Sequence, residues 1–144
     1  MISEMITGQD LESAIPDLTG TLRLAGLEGT VKIYRDPYGI PHFKAESEMD
    51  AFFAQGFVTA QDRLWHMEYD RRRGSGRWAE AVGEQAVAQD KMMRRFRLEA
   101  SAKADYKVMN AHTKSVFDAY AAGVNAFIDS GSALPVEYRI TGLE

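Results

Sequence analysis

The sequence predicts an α+β fold, mostly helical with one short β-hairpin near the N-terminus, and three observations predict it. Residues 31–45 alternate apolar and polar side chains on either side of a proline–glycine turn. Apolar side chains then recur every three or four residues from Phe53 to Met67 and again from Val116 to Phe127, the period of an amphipathic helix. Between those stripes, residues 86–106 are dominated by Ala, Met, Arg, Leu, Glu and Lys, all good helix formers.

In chain order, residues 1–29 are broken by Pro16, Gly20, Gly26 and Gly29 and read as an arm with one short helix, outside the domain of residues 30–144. Val31–Arg35 has the pattern of a half-buried strand, with Val31 and Ile33 on its apolar face. In Asp36-Pro37-Tyr38-Gly39, proline presets one turn dihedral and glycine supplies the exit. Ile40–Ala45 resumes an extended strand, because the residue before Pro41 is steered away from helix.

Ser47 followed by Asp50 has the form of an N-cap, and opens a helix carrying one stripe of Phe53, Phe57, Ala60, Leu64 and Met67 to a stop near Arg73–Gly76. A helical turn at Trp78–Val82 is closed by Gly83. A third helix is expected from Ala86 to about Tyr106. A fourth, capped by Thr113, places Val116, Tyr120, Val124, Phe127 and Ile128 on one face and ends at Ser130-Gly131-Ser132. The tail from Leu134 to Glu144 reads as extended chain without a closing signal, as though truncated at its C-terminus.

Composition bounds the partners. The chain has 144 residues, 45% hydrophobic and 26% charged, which suits a single folded domain with its own core. A net charge of −4 gives no field to attract nucleic acid or an anionic membrane, so neither is expected as a partner. No stretch approaches the roughly twenty apolar residues of a membrane helix. The absence of cysteine excludes disulfides, thiol catalysis and cysteine-ligated metal. The first ten residues show neither a basic n-region nor an unbroken apolar core, which implies a cytoplasmic protein if that start is native.

Three groups of residues have spacings that chemistry uses. Asp62, His66 and Asp70 stand four apart, a metal-compatible geometry, but a solvated or subunit-facing polar strip is the stronger reading. Arg71–Arg77 is a cationic cluster suited to phosphate, although Glu68, Asp70 and Glu80 offer partners within the chain. His42, His66 and His112 give no local triad signature, so His42 is expected to cap or pack its turn and the other two to lie on helix surfaces.

Read together, four segments carry a resemblance: Ile33-Tyr34-Arg35-Asp36-Pro37-Tyr38-Gly39-Ile40-Pro41-His42, Gln55–Glu68, Gly76-Arg77-Trp78-Ala79-Glu80 and Ala119–Ile128, followed by Leu134-Pro135 and Thr141-Gly142. In this order they resemble the α chain of the penicillin acylase family. The resemblance implies an N-terminal-nucleophile hydrolase whose precursor cuts itself into an α chain and a larger β chain, the two completing an αββα core. It implies that the nucleophile is the serine at the start of the β chain, with its own α-amine as base, acting on a small-molecule amide.

The family's α-chain calcium ligand and substrate-contacting region lie beyond the position matched by Thr141-Gly142. No catalytic, cofactor or metal residue is therefore expected in this chain, and a structural calcium is a further expectation only for the complete two-chain enzyme. The resemblance also favours a periplasmic location. The residues left as structural or interface candidates are Asp62 and Arg63, expected to form ion pairs that lock the long helix, and Tyr38 and His42, expected to hold the turn against the β chain. A non-catalytic helical interaction module is the alternative, and RNA binding through Arg71–Arg77 ranks last.

Overall fold

The computed structural model describes residues 6–143. The chain divides into two compact units, one formed by Asp17–Asp62 with Met109–Ser132, the other by Met1–Pro16, Arg63–Val108 and Ala133–Glu144.

In the unit of residues 17–62 and 109–132, β1 (Lys32–Arg35) and β2 (Pro41–Lys44) pair antiparallel, with Tyr34 opposite His42 and Ile33 opposite Phe43. The turn between them closes where Gly39 N–H donates to the Asp36 carbonyl at 2.9 Å, with Gly39 at φ +77°. Of the expected apolar face, Val31 is half-buried and Ile33 is 42% exposed, while Tyr34 on the other face is 62% exposed. A two-stranded ribbon has too little surface to bury either face by itself.

Helix α2 (Glu48–Ser75) begins where Ser47 Oγ accepts the Asp50 N–H at 3.0 Å. The Asp50 carboxylate turns elsewhere, accepting the N–H groups of Glu28 and Gly29 at 2.9 and 3.0 Å, and it is buried. Phe53, Ala54, Phe57, Val58 and Ala60 of α2 form the core with Phe127 of α6 (Ala111–Asp129), whose ring meets Phe57 edge-on at 5.6 Å. The two backbones approach through glycines. A Cβ on Gly56 would stand 2.0 Å from the Tyr120 carbonyl oxygen, and one on Gly123 1.9 Å from that of Phe53. The cap of α6 is Asn110, which accepts the Thr113 N–H, and not Thr113 itself; Asn is the better cap and stands three residues earlier. Ile128 of the expected stripe is 47% exposed.

The predicted α2 stripe is real but not continuous. Arg63 has φ −145° and ψ 27°, which breaks the helix where one unit gives way to the other. In the second unit, the remainder of α2 buries Leu64 and presents Trp65 and Tyr69 to Trp78, with ring centroids 6.1 and 4.9 Å apart, while Tyr138 meets Trp65 at 5.2 Å. Gly83 closes α3 (Ala79–Val82) as expected, and a 3₁₀ turn at Glu84–Ala86 follows. The start of α3 has no cap of its own. Buried Asp90, on α4 (Val87–Phe96), accepts the N–H groups of Trp78 and Ala79 at 3.0 and 2.7 Å.

Two expectations are corrected here. The single helix from Ala86 to Tyr106 is two, α4 and α5 (Leu98–Val108), because Arg97 takes a left-handed conformation with φ 56°. The tail is not extended: α7 (Val136–Thr141) starts after Pro135, and left-handed Gly142 closes it, so the missing stop signal was that glycine. A short α1 (Gly8–Ser13) is capped reciprocally by Thr7 and Asp10, and Asp10 pairs with Arg139 of α7. Among the described residues, no helix is long and apolar enough to cross a membrane.

Candidate functional site

The densest polar construction in the first of these units surrounds Arg35, the last residue of β1. Its Nη1 donates to the Gly39 carbonyl at 3.0 Å and to Asp62 Oδ2 at 3.0 Å, while Nη2 donates to Asp62 Oδ1 at 2.7 Å and to Gln61 Oε1 at 3.0 Å. One planar guanidinium thus fastens the hairpin turn to α2, using the fork geometry that a lysine lacks. The pair is partly exposed, 18% and 31%, so it contributes about 1 kcal/mol at most and acts chiefly by fixing position.

The turn itself is organised by Asp36. Its carboxylate accepts the N–H groups of Tyr38 and Ile40 at 2.9 and 3.0 Å and faces His42 Nε2 at 3.2 Å, and the His42 ring stacks on Tyr34 at 5.0 Å. Desolvation pushes the Asp36 carboxyl upward, but the bonds from His42, Ile40 and Tyr38 together outweigh it and hold the group below its ordinary range. His42 therefore packs and braces the turn. Tyr38 stands at the tip with 88% of its surface exposed, leaving its ring free for a neighbour.

Of the expected ion pairs, Asp62 forms one within the chain, with Arg35; Arg63 has no acidic partner among the described residues and marks the helix break. The same break undoes the strip of Asp62, His66 and Asp70. Asp62 is taken by Arg35, His66 Nε2 faces Asp70 at 3.4 Å, and the described residues hold no group of three or more potential metal ligands.

In the other unit, the cationic cluster is neutralised internally. Glu68 receives Arg71 in bidentate fashion at 2.8 Å and also Arg72 Nε at 2.5 Å; Glu80 receives Arg72 Nη1 at 2.6 Å and Arg77 at 2.9 Å. The bond from Arg71 leads the effects that hold the Glu68 carboxyl low, and that from Arg77 does so for Glu80. Guanidinium groups so engaged have little left for phosphate. A cleft of about 370 Å³ lies between α1 and α7, lined by Ser13, Leu134, Pro135, Val136 and the Asp10–Arg139 pair. Ser13 Oγ donates to the Asp10 carbonyl. Each of the three histidines faces a carboxylate, and none a serine or threonine hydroxyl, among the described residues. The hydroxyls that do meet a carboxylate, Thr7 on Asp10 and Thr19 on Asp17, serve an exposed helix cap and an exposed turn.

Sequence reasoning missed Arg35, Gln61 and Asp90. Arg35 beside an Asp-Pro-x-Gly turn was a usable signal; the carboxylates that choose their partners across 12 or 27 positions were not.

The family profile described as penicillin amidase matches residues 30–144. A penicillin acylase 2 proenzyme from Pseudomonas sp. (strain SE83) is 46% identical over 134 residues, 93% of this chain and 17% of that protein. An acyl-homoserine lactone acylase from Pseudomonas syringae pv. syringae is 36% identical over 121 residues, 84% of this chain and 15% of its own length. Among solved structures, a thermostable penicillin G acylase from Alcaligenes faecalis superposes with a TM-score of 0.68 at 31% identity, covering 76% of this chain and 60% of that one. The chain thus spans under a fifth of the curated relatives it matches.

Proposed function

Because this chain belongs to the penicillin amidase family, we propose that it is part of the α chain of an acylase that hydrolyses linear amides, its nucleophile supplied by a β chain from the same precursor. The observation that carries the reading is the 46% identity to a penicillin acylase proenzyme along 93% of this chain. It is supported by the penicillin G acylase structure that superposes on 76% of this chain with a TM-score of 0.68.

In this reading the terminal serine of the β chain attacks the amide carbonyl carbon, its proton passing to its own α-amine and then to the departing amine. Water then cleaves the acyl ester and frees the acid. The part played by this chain is mechanical. Arg35 keeps the hairpin turn in register with α2, Asp36 and His42 hold Tyr38 at the tip, and the turn rests against the β chain. Small acylated amides are the substrate class, in keeping with the penicillin and acyl-homoserine lactone acylases among the relatives.

The test is expression of the complete reading frame containing this chain, followed by intact mass, N-terminal sequencing and hydrolysis of phenylacetyl amides and acyl-homoserine lactones. Two chains, the larger beginning with serine, and release of the free acid are expected. A single uncut polypeptide that hydrolyses neither class refutes the reading.

A further inference from the structure

The outward face of α4 carries two pairs of exposed side chains. Met92 and Phe96, four positions apart, are 50% and 62% exposed. Beside them Lys91 and Arg95 stand at the same spacing, both exposed, and like charges so placed repel each other along a helix. Among the described residues neither cation has a carboxylate partner, although the neighbouring Glu99 takes Lys103. The opposite side of α4 is pinned by Asp90 on the N–H groups of Trp78 and Ala79, which fixes the direction in which these four side chains point.

The surroundings extend the same character. Exposed Arg97 follows in its left-handed conformation, and α5 has no buried residue. From Val87 to Val108 the sequence holds six cations against three carboxylates, within a chain of net charge −4, so the local field is opposite in sign to that of the whole. An apolar pair bordered by uncompensated cations is complementary to an apolar pocket bordered by carboxylates. Two side chains offer too little apolar area for a lipid surface, where binding scales with that area.

We propose that the outward face of α4, centred on Met92 and Phe96 and bordered by Lys91 and Arg95, docks an acidic, apolar-pocketed surface of the β chain. The inference rests on the two-chain reading, in which most of the polypeptide lies outside this chain, as it does in the proenzyme of which the chain spans 17%. The charges guide the encounter and set the register, and the apolar pair supplies the contact that excludes water.

The experiment uses the two-chain enzyme purified from the full-length precursor. Acetylation of Lys91 and oxidation of Met92 are followed by mass spectrometry against the unfolded enzyme. Both are expected to slow at least about tenfold, and K91E/R95E to lower recovery of the two-chain enzyme by a similar factor that shrinks as salt is raised, while K91R/R95K restores it. Two chains that assemble with Lys91 and Met92 as reactive as in the unfolded protein overturn the docking site and leave the acylase reading standing. Protection that depends on enzyme concentration, marking a second copy, or that needs added anionic vesicles overturns it equally. A precursor that is never cut overturns the two-chain reading and this site with it.

Discussion

Replacing Gly123 by alanine tests the contact on which one of the two units is built. The new Cβ would lie 1.9 Å from the Phe53 carbonyl oxygen and 2.9 Å from the Phe57 nitrogen, when real Cβ atoms essentially never come within 3.0 Å of such atoms. All of these are backbone, so no rotamer change relieves the clash, and α6 must retreat from α2 by more than 1 Å. Overpacking of this kind costs about 1–3 kcal/mol. The edge-on Phe57–Phe127 contact at 5.6 Å loosens with it, removing about 1 kcal/mol more. Against this stands a helix-propensity gain of about 1 kcal/mol for Gly→Ala. The expected net loss is about 1–3 kcal/mol, read as a lower urea midpoint by far-ultraviolet circular dichroism. Gly74→Ala is the control, a helical glycine with nothing within 4 Å, which should gain up to about 1 kcal/mol. Opposite signs for two helical glycines follow only from the close approach; Gly123→Ala at or above the parent's midpoint refutes it.

Three further outcomes follow from other contacts. Asp90→Asn weakens two charge-assisted bonds to Trp78 and Ala79 and should cost about 2–3 kcal/mol in thermal denaturation, with a changed tryptophan emission because Trp78 loses its anchor. Arg35→Lys keeps the charge but not the fork; overall stability should fall by no more than about 1 kcal/mol, while amide exchange at Gly39 accelerates because the turn loses its tie to Asp62. Asp10, bonded first by the Thr7 side chain, then by the Thr7 N–H and Arg139, has its carboxyl lowered from 3.8 to about 2. A depressed folded value means the stabilisation is whole above about pH 4 and is lost as pH falls toward 2, a dependence that Asp10→Asn should flatten in urea midpoints taken from pH 5 to 2.

The elements legible in the sequence were those written in local chemistry. The Asp36–Gly39 turn, the Ser47 start of α2, the Gly83 stop and the stripe through Phe53 and Phe57 all depend on residues within a few positions of one another. What escaped was decided by distant partners or by unfavoured backbone. Nothing at Arg63 breaks helices, and a left-handed Arg97 is a conformation local propensity argues against. The tail is helical and not extended because Pro135 suits a helix start and Gly142 a helix end. In the candidate site Asp62 was found and Arg35 was not, since an acid's choice of partner 27 positions away leaves no periodic trace. The resemblance located the family; the pairing of side chains needed the fold.

The break at Arg63 has a temporal meaning. Each unit is assembled from separated stretches, so that residues 63–108 interrupt one unit and residues 17–62 with 109–132 interrupt the other. A chain emerging from the ribosome therefore carries the hairpin and the Phe53 half of a core that stays open until α6 arrives, and Trp65 waits longer still for Tyr138. Neither unit is finished in the order in which it is begun, and loop closure across the intervening residues sets the entropy each must overcome. A pause in synthesis or a cut within residues 63–108 would strand both halves at once, so the vulnerable interval in this protein's life lies before α6 and α7 are made.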